Sequence, residues 1–411
     1  MARTAERPGA PAGGSRVAER SSRAVLAVVA TMISVSVPPF LVGTLAIQIG
    51  VSMSFTAGQL GAAVAGYYVV SSAVSPVGGR LVERLGPPRA LRVACLGATL
   101  GLAGIASAPN AATIVVFLSL LGLPNALMQP AANQILSDRV PVRRQGVAFG
   151  IVQSSIPSAT LLSGALLGIF GSQGHWRAAV WTVAGLTLAA QLVVGLRPRA
   201  GDGDRRASAA RAAVLPPPVG GSPLMVAMVV TAVLASMAAT SLPSFVASTG
   251  AARGLEPGEV ATIQVVGSLA CIGLRVLAAW RGSLLAGWRV LVGVAGMLLV
   301  GATGFALLSV GSAAAFCVGV VVAYAFGWGW NGLFNLSVSR ARAGRVSSAT
   351  GMTQGGVFLG GVLGPLLFAG VLDAQGVGAA WLAVAVAAFV ASLSIALAAR
   401  RWAGAGEVEE R

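Results

Sequence analysis

The chain has 411 residues, 56% of them hydrophobic and only 10% charged, with a mean hydropathy of +0.83. A soluble domain carries about a quarter of its residues as charges, so this composition excludes an ordinary soluble protein and makes lipid a main solvent. The net charge of +16 comes from arginine alone, in short runs between apolar blocks, which argues against a nucleic-acid partner.

Five arginines, Arg3, Arg7, Arg16, Arg20 and Arg23, open the chain. The apolar stretch behind them is too long for a cleaved leader, so residues 1–23 read as a basic tail before a retained helix. Apolar segments then recur at 24–50, 57–77, 91–109, 112–134, 146–170, 177–196, 223–248, 257–280, 287–309, 312–336, 346–371 and 378–399. A spanning helix takes roughly 20 residues, and twelve of them leave no room for a sizeable soluble domain. The fold expected is an all-α membrane protein of 12 transmembrane helices in two pseudo-symmetric six-helix bundles. Its parts are an N-terminal bundle over 24–196, a cytoplasmic linker over 197–222, a C-terminal bundle over 223–399 and a C-tail over 400–411. The linker holds Pro216-Pro217-Pro218 and lacks the apolar residues to form a core.

Arginine sets the orientation. With the N-terminus inside and the segments counted alternately, 26 of the 28 arginines fall on the inner side, leaving only Arg177 and Arg253 outside. An odd number of helices would scramble that pattern. Both termini are therefore expected in the cytoplasm of a bacterium, whose high-GC genome the Ala, Gly, Val and Arg excess suggests. The protein is expected in the inner membrane as a monomer.

The halves repeat. Ser36-Val-Pro38-Pro39-Phe40 matches Ser241-Leu-Pro243-Ser-Phe245 at an offset of 205, and Asn125-Ala-Leu127 matches Asn331-Gly-Leu333 at 206. Gly150-Ile-Val-Gln153 matches Gly351-Met-Thr-Gln354 at 201. Two similar six-helix units give alternating access by rocking against one another.

The loop Gly79-Arg80-Leu81-Val82-Glu83-Arg84-Leu85-Gly86-Pro87-Pro88-Arg89 resembles the G-x-L-x-D-R-x-G-R-R signature of the major facilitator superfamily. The resemblance covers essentially the whole chain. It implies a conformational latch on the cytoplasmic side, carried here by Gly79, Glu83, Arg84 and Gly86, with Arg139 as local partner. Glu83 stands where the family has Asp, and Pro87-Pro88 replace the usual basic pair. The alternative is a plain juxtamembrane charge cluster. The Gly-Pro motif that the family's drug–proton antiporters show in helix 5 is absent in strict form. Helix 11 is rich in glycine and carries Gly364-Pro365.

No Asp or Glu lies well inside any apolar segment, which disfavours cationic substrates and the commonest design for proton coupling. What the membrane does hold is amide and aromatic. Asn125 and Gln129 share a helix face, as do Asn331 and Asn335; Gln153 and Gln354 are repeat-related, and Gln264 lies on helix 8. The resemblance implies that helices 1, 4, 7 and 10 line a central cavity, so these amides and Trp330 are candidate substrate ligands. Interhelical packing is the competing role for each. Arg275, about 7 Å inside helix 8, is either a ligand for an anion or a side chain snorkelling to the surface. His175, the single histidine, lies beside Trp176 in an outer loop and reads as a solvated interfacial residue or a pH sensor.

Cys95, Cys271 and Cys317 each stand alone in an apolar block, giving no metal or disulfide pattern. No cofactor is expected. No P-loop is present, so the driving force is expected to be a solute or ion gradient, with H+ one candidate. The expectation is a secondary active transporter of a small neutral or anionic solute. Drug/proton antiport is the alternative within transporters; a non-transporting membrane sensor is the one outside them. A membrane enzyme is excluded by the lack of a His, Cys and acid cluster at either face.

Overall fold

The structure, a computed structural model, describes residues 13–140, 148, 150–171, 174–193, 223–282, 285, 287–341 and 346–409. The expected linker and the first half of the N-tail lie outside them. Among the described residues there is no strand. The helices are α1 (Gly13–Thr44), α2 (Ala46–Met53), α3 (Ala57–Leu85), α4 (Pro87–Ala106), α5 (Ala111–Leu120) and α6 (Gly122–Arg139). They continue with α7 (Ser155–Phe170), α8 (Trp176–Val193), α9 (Pro223–Ala251), α10 (Pro257–Gly282) and α11 (Gly287–Ser309). Last come α12 (Ala313–Val322), a π-helical turn (Ala323–Gly327), α13 (Asn331–Ala341) and α14 (Val346–Glu409).

Nine spans among the described residues are long and apolar enough to cross a membrane, or ten with the two arms of α3, bent by 63° between Ser75 and Val77. Pro76 sits at that bend and removes the hydrogen bond that would hold it straight. The 64-residue α14 is not one rod. Gly376 has φ 84°, and the rings of Phe368 and Trp381 lie 4.6 Å apart, whereas 13 residues of straight helix would separate them by about 20 Å. α14 is thus a helical hairpin. α8 runs antiparallel to α4 along its full length, because Arg177 donates to the Ala108 carbonyl at one end and Gln191 to the Arg92 carbonyl at the other.

Call the end that holds both ends of the described chain the terminal end, and its opposite the far end. At the far end side chains cap the free N–H groups of three helix starts. Thr56 and Gln59 form a capping box on α3, Asn110 caps α5 and Ser312 caps α12. Arg177 and Arg253, the two arginines placed there, act as staples. Arg177 lies 4.4 Å from the Trp176 ring centroid. Arg253 donates to the Val310, Thr249 and Leu308 carbonyls beside the Phe316 ring.

Buried apolar side chains form two clusters. The larger draws on both halves of the chain and includes Phe40, Leu41 and Leu45 of the first with Phe245, Val246 and Phe368 of the second. The smaller, with Met225, Met228, Val290, Leu291, Phe334 and Ile395, belongs to the second half alone and sits at its terminal end. The halves therefore share a core at the far end, while at the terminal end the second half keeps a core of its own.

Candidate functional site

Between the halves lies a cavity of about 100 Å³. Its wall takes Ser36, Pro39 and Phe40 from α1, Tyr67 and Tyr68 from α3, and Asn125, Met128 and Gln129 from α6. The second half adds Ser236 and Thr240 from α9, Arg275 from α10, Trp328 and Trp330 after the π-helical turn, Asn331 from α13, and Gln354 and Phe358 from α14.

Arg275 does not snorkel. It is only 5% exposed, and two backbone carbonyls hold it: Nη1 donates to Gln153 at 2.7 Å and Nη2 to Trp328 at 2.8 Å. Each carbonyl is free for a local reason. In a helix the Gln153 carbonyl would accept from the N–H four residues on, but that residue is Pro157, which has none. Trp328 follows the π-helical turn, where the regular ladder is interrupted. The guanidinium carbon lies 5.8 Å from the Trp328 ring centroid, inside cation–π range. Arg275 Nε is buried without a partner among the described residues.

The amides divide. Asn125 donates to Ser71 Oγ at 2.9 Å, leaving its carbonyl oxygen as an acceptor. Asn331 accepts from Asn335 at 2.8 Å, leaving its N–H groups as donors. These repeat-related residues thus present opposite polarity to the cavity, and Asn335, which is not in the wall, orients Asn331 from one turn away. Gln129 and Gln354 line the wall without a hydrogen bond among the described residues. Trp330 lines it too, its Nε1 unpartnered among the described residues and its ring edge-on to Phe334 at 5.2 Å.

Two expected ligands lie elsewhere. Gln264 is 0% exposed and is absent from the wall. Its amide donates to Thr44 Oγ1 and to the Thr160 carbonyl, both at 3.0 Å, and accepts from Thr44. It ties the halves together instead of facing solute. Gln153 contributes its backbone carbonyl to Arg275, while its side chain stays out of the wall, with Oε1 buried and unpartnered among the described residues. The residues expected to form a latch all sit at the terminal end. Glu83 and Arg84 are exposed, and Glu83 makes no ion pair among the described residues. Gly86 takes φ 84° between α3 and α4, Gly79 faces open space and Arg139 closes α6.

Sequence reasoning missed Ser36, Phe40, Tyr67 and Tyr68 as wall residues. Ser36 and Phe40 lay in the repeated Ser-Val-Pro-Pro-Phe motif, a usable signal. Tyr67 and Tyr68 are two of the chain's three tyrosines, and hydroxyls at mid-membrane seek a polar neighbour. Tyr67 finds one in the Val35 carbonyl at 3.1 Å.

An all-α multi-pass bundle around a cavity shared by its two halves defines a membrane protein of the transporter type. The chain belongs to the Major Facilitator Superfamily, whose sequence model matches residues 22–365. It is similar to the Uncharacterized MFS-type transporter YfnC of Bacillus subtilis (strain 168), with 33% identity over 147 residues, 35% of this chain and 34% of that protein. It is also similar to the Tetracenomycin C resistance and export protein of Streptomyces glaucescens, with 32% identity over 130 residues, 31% of this chain and 24% of that protein. A third relative is the Putative metabolite transport protein YwtG of Bacillus subtilis (strain 168), with 31% identity over 103 residues, 25% of this chain and 22% of that protein. The matches span about a third or less of the length of these relatives.

Proposed function

We propose that this protein is a secondary active transporter that moves a small anion by alternating access between two six-helix halves. The observation behind this reading is Arg275: a buried cation in the cavity wall, held by carbonyls and faced by no carboxylate among the described residues. Such a group favours a carboxylate or another oxyanion through charge-assisted hydrogen bonds. Twelve crossings follow if the two arms of α14 count separately and α8, beside α4, counts as a span. The arginine distribution supports a cytoplasmic terminal end, and on that orientation the cavity faces inward. Glu83, Arg84 and Arg139, with Gly79 and Gly86, are then the latch that forms when the inner end closes.

The test is uptake of labelled metabolites into proteoliposomes, with and without a pH gradient. Arg275→Gln is expected to weaken substrate binding at least tenfold, since a hydrogen bond to a charged group contributes about 1.5–3 kcal/mol. Unchanged affinity and transport in that variant would sink the anion reading. Export of a flat drug-like compound is the second reading, favoured by the similarity to an export and resistance protein and by the rings of Tyr68, Trp328 and Trp330 in the wall. It requires that expression in an efflux-deficient host raise resistance to several unrelated aromatic compounds.

A further inference from the structure

We infer that the transporter is an obligatory exchanger of monovalent anions: the carrier recrosses only with an anion bound, so one leaves for each that enters. This rests on the anion reading above and adds the mode of transport to it.

The inference is a balance of charge. Arg275 places a guanidinium cation in the wall, only 5% exposed. Its two carbonyl partners solvate the charge without cancelling it. Among the described residues no carboxylate side chain pairs with it. Among the described residues each carboxylate lies in a tail or near a helix end or turn, and the single histidine lies in a far-end loop. Cys271, one turn before Arg275, and the buried tyrosines are of types that stay neutral near pH 7. Among the described residues, no carboxylate or imidazole stands beside Arg275 to take up or release a proton as the halves rock.

When the cavity closes at both ends, an empty carrier seals one uncompensated positive charge away from water. Desolvation opposes that step, and the membrane potential acts on the moving charge. One monovalent anion makes the closing unit neutral and removes both penalties. A divalent anion would replace one net positive charge by one negative. The loaded form then crosses readily, the empty form does not, and net transport in one direction is blocked.

The experiment uses the full-length protein in liposomes. Nitrate, formate, benzoate, phosphate and succinate are ranked by quenching of tryptophan fluorescence, since Trp328 and Trp330 line the cavity. The tightest-binding probe is then offered, labelled, to vesicles holding the same unlabelled anion or zwitterionic buffer alone, with protein-free vesicles as background. Internal anion is expected to raise uptake at least tenfold, with monovalent probes preferred and no response to valinomycin and potassium. Equal uptake into both vesicle sets, with binding intact, overturns exchange and leaves the anion reading standing. If no probe binds, or if Arg275→Gln binds as well as the parent, the anion reading falls and exchange falls with it.

Discussion

At the far end the halves touch through their main chains: a Cβ on Gly43 would lie 2.6 Å from the Ser244 Cα. Gln264 adds its hydrogen bonds to Thr44 and Thr160 across the same seam. The terminal end is made from the same helices without such a seam among the described residues. The second half keeps a separate core there, Glu83 is exposed, and Met352 is 36% exposed at the start of α14. Under the alternating access proposed above, this contrast is where the two-state element would lie. A backbone-to-backbone contact has no half-closed form, because packed surfaces are bistable and not continuously deformable. Closing one end and opening the other is then a switch between two packings.

The comparison breaks most sharply at Gly43. Gly43→Val puts a branched side chain where the Ser244 backbone stands, and overpacking of this kind costs about 1–3 kcal/mol. The far end should open. An impermeant maleimide on Gln129→Cys, a cavity reporter, should label at least tenfold faster from the far side; labelling confined to the terminal side would mean that Gly43 does not govern closure. Gln264→Leu should act in the same direction more weakly, by about 1–3 kcal/mol for its lost hydrogen bonds, seen as a smaller rise in far-side labelling and a lower Tm. A raised Tm would show that the amide is a liability and not a fastener. Glu83→Gln should be nearly silent in stability, within about 0.5 kcal/mol as for an exposed surface change, while slowing uptake. A large drop in Tm would show that the charge is already paired and that the terminal end is closed.

Much of this was legible in the sequence, and the reason for the rest is physical. Spans announce themselves by length and apolarity, and Asn125, Gln129, Arg275, Asn331 and Gln354 stand out because a polar group in lipid needs a reason. Gln264 stands out equally, yet it serves the seam. In a soluble helix the apolar stripe shows which face is buried; here lipid and protein interior are both apolar, so α10 carries no sign of which way Gln264 turns. The π-helical turn in Ala323–Gly327 has no proline to announce it. The free carbonyl of Gln153 could have been found, since a proline four residues on always leaves one.

That proline has a further consequence. Because Arg275 is held by main-chain oxygens, no side-chain substitution at Gln153 or Trp328 removes the atoms that hold it. The opposite wall, built from Asn125, Gln129 and Tyr68, has no such insurance and is free to drift. If the proposed site is the one that selects solute, a lineage starting from this chain can change what it accepts by rewriting that wall alone, and each descendant inherits the same positive pole.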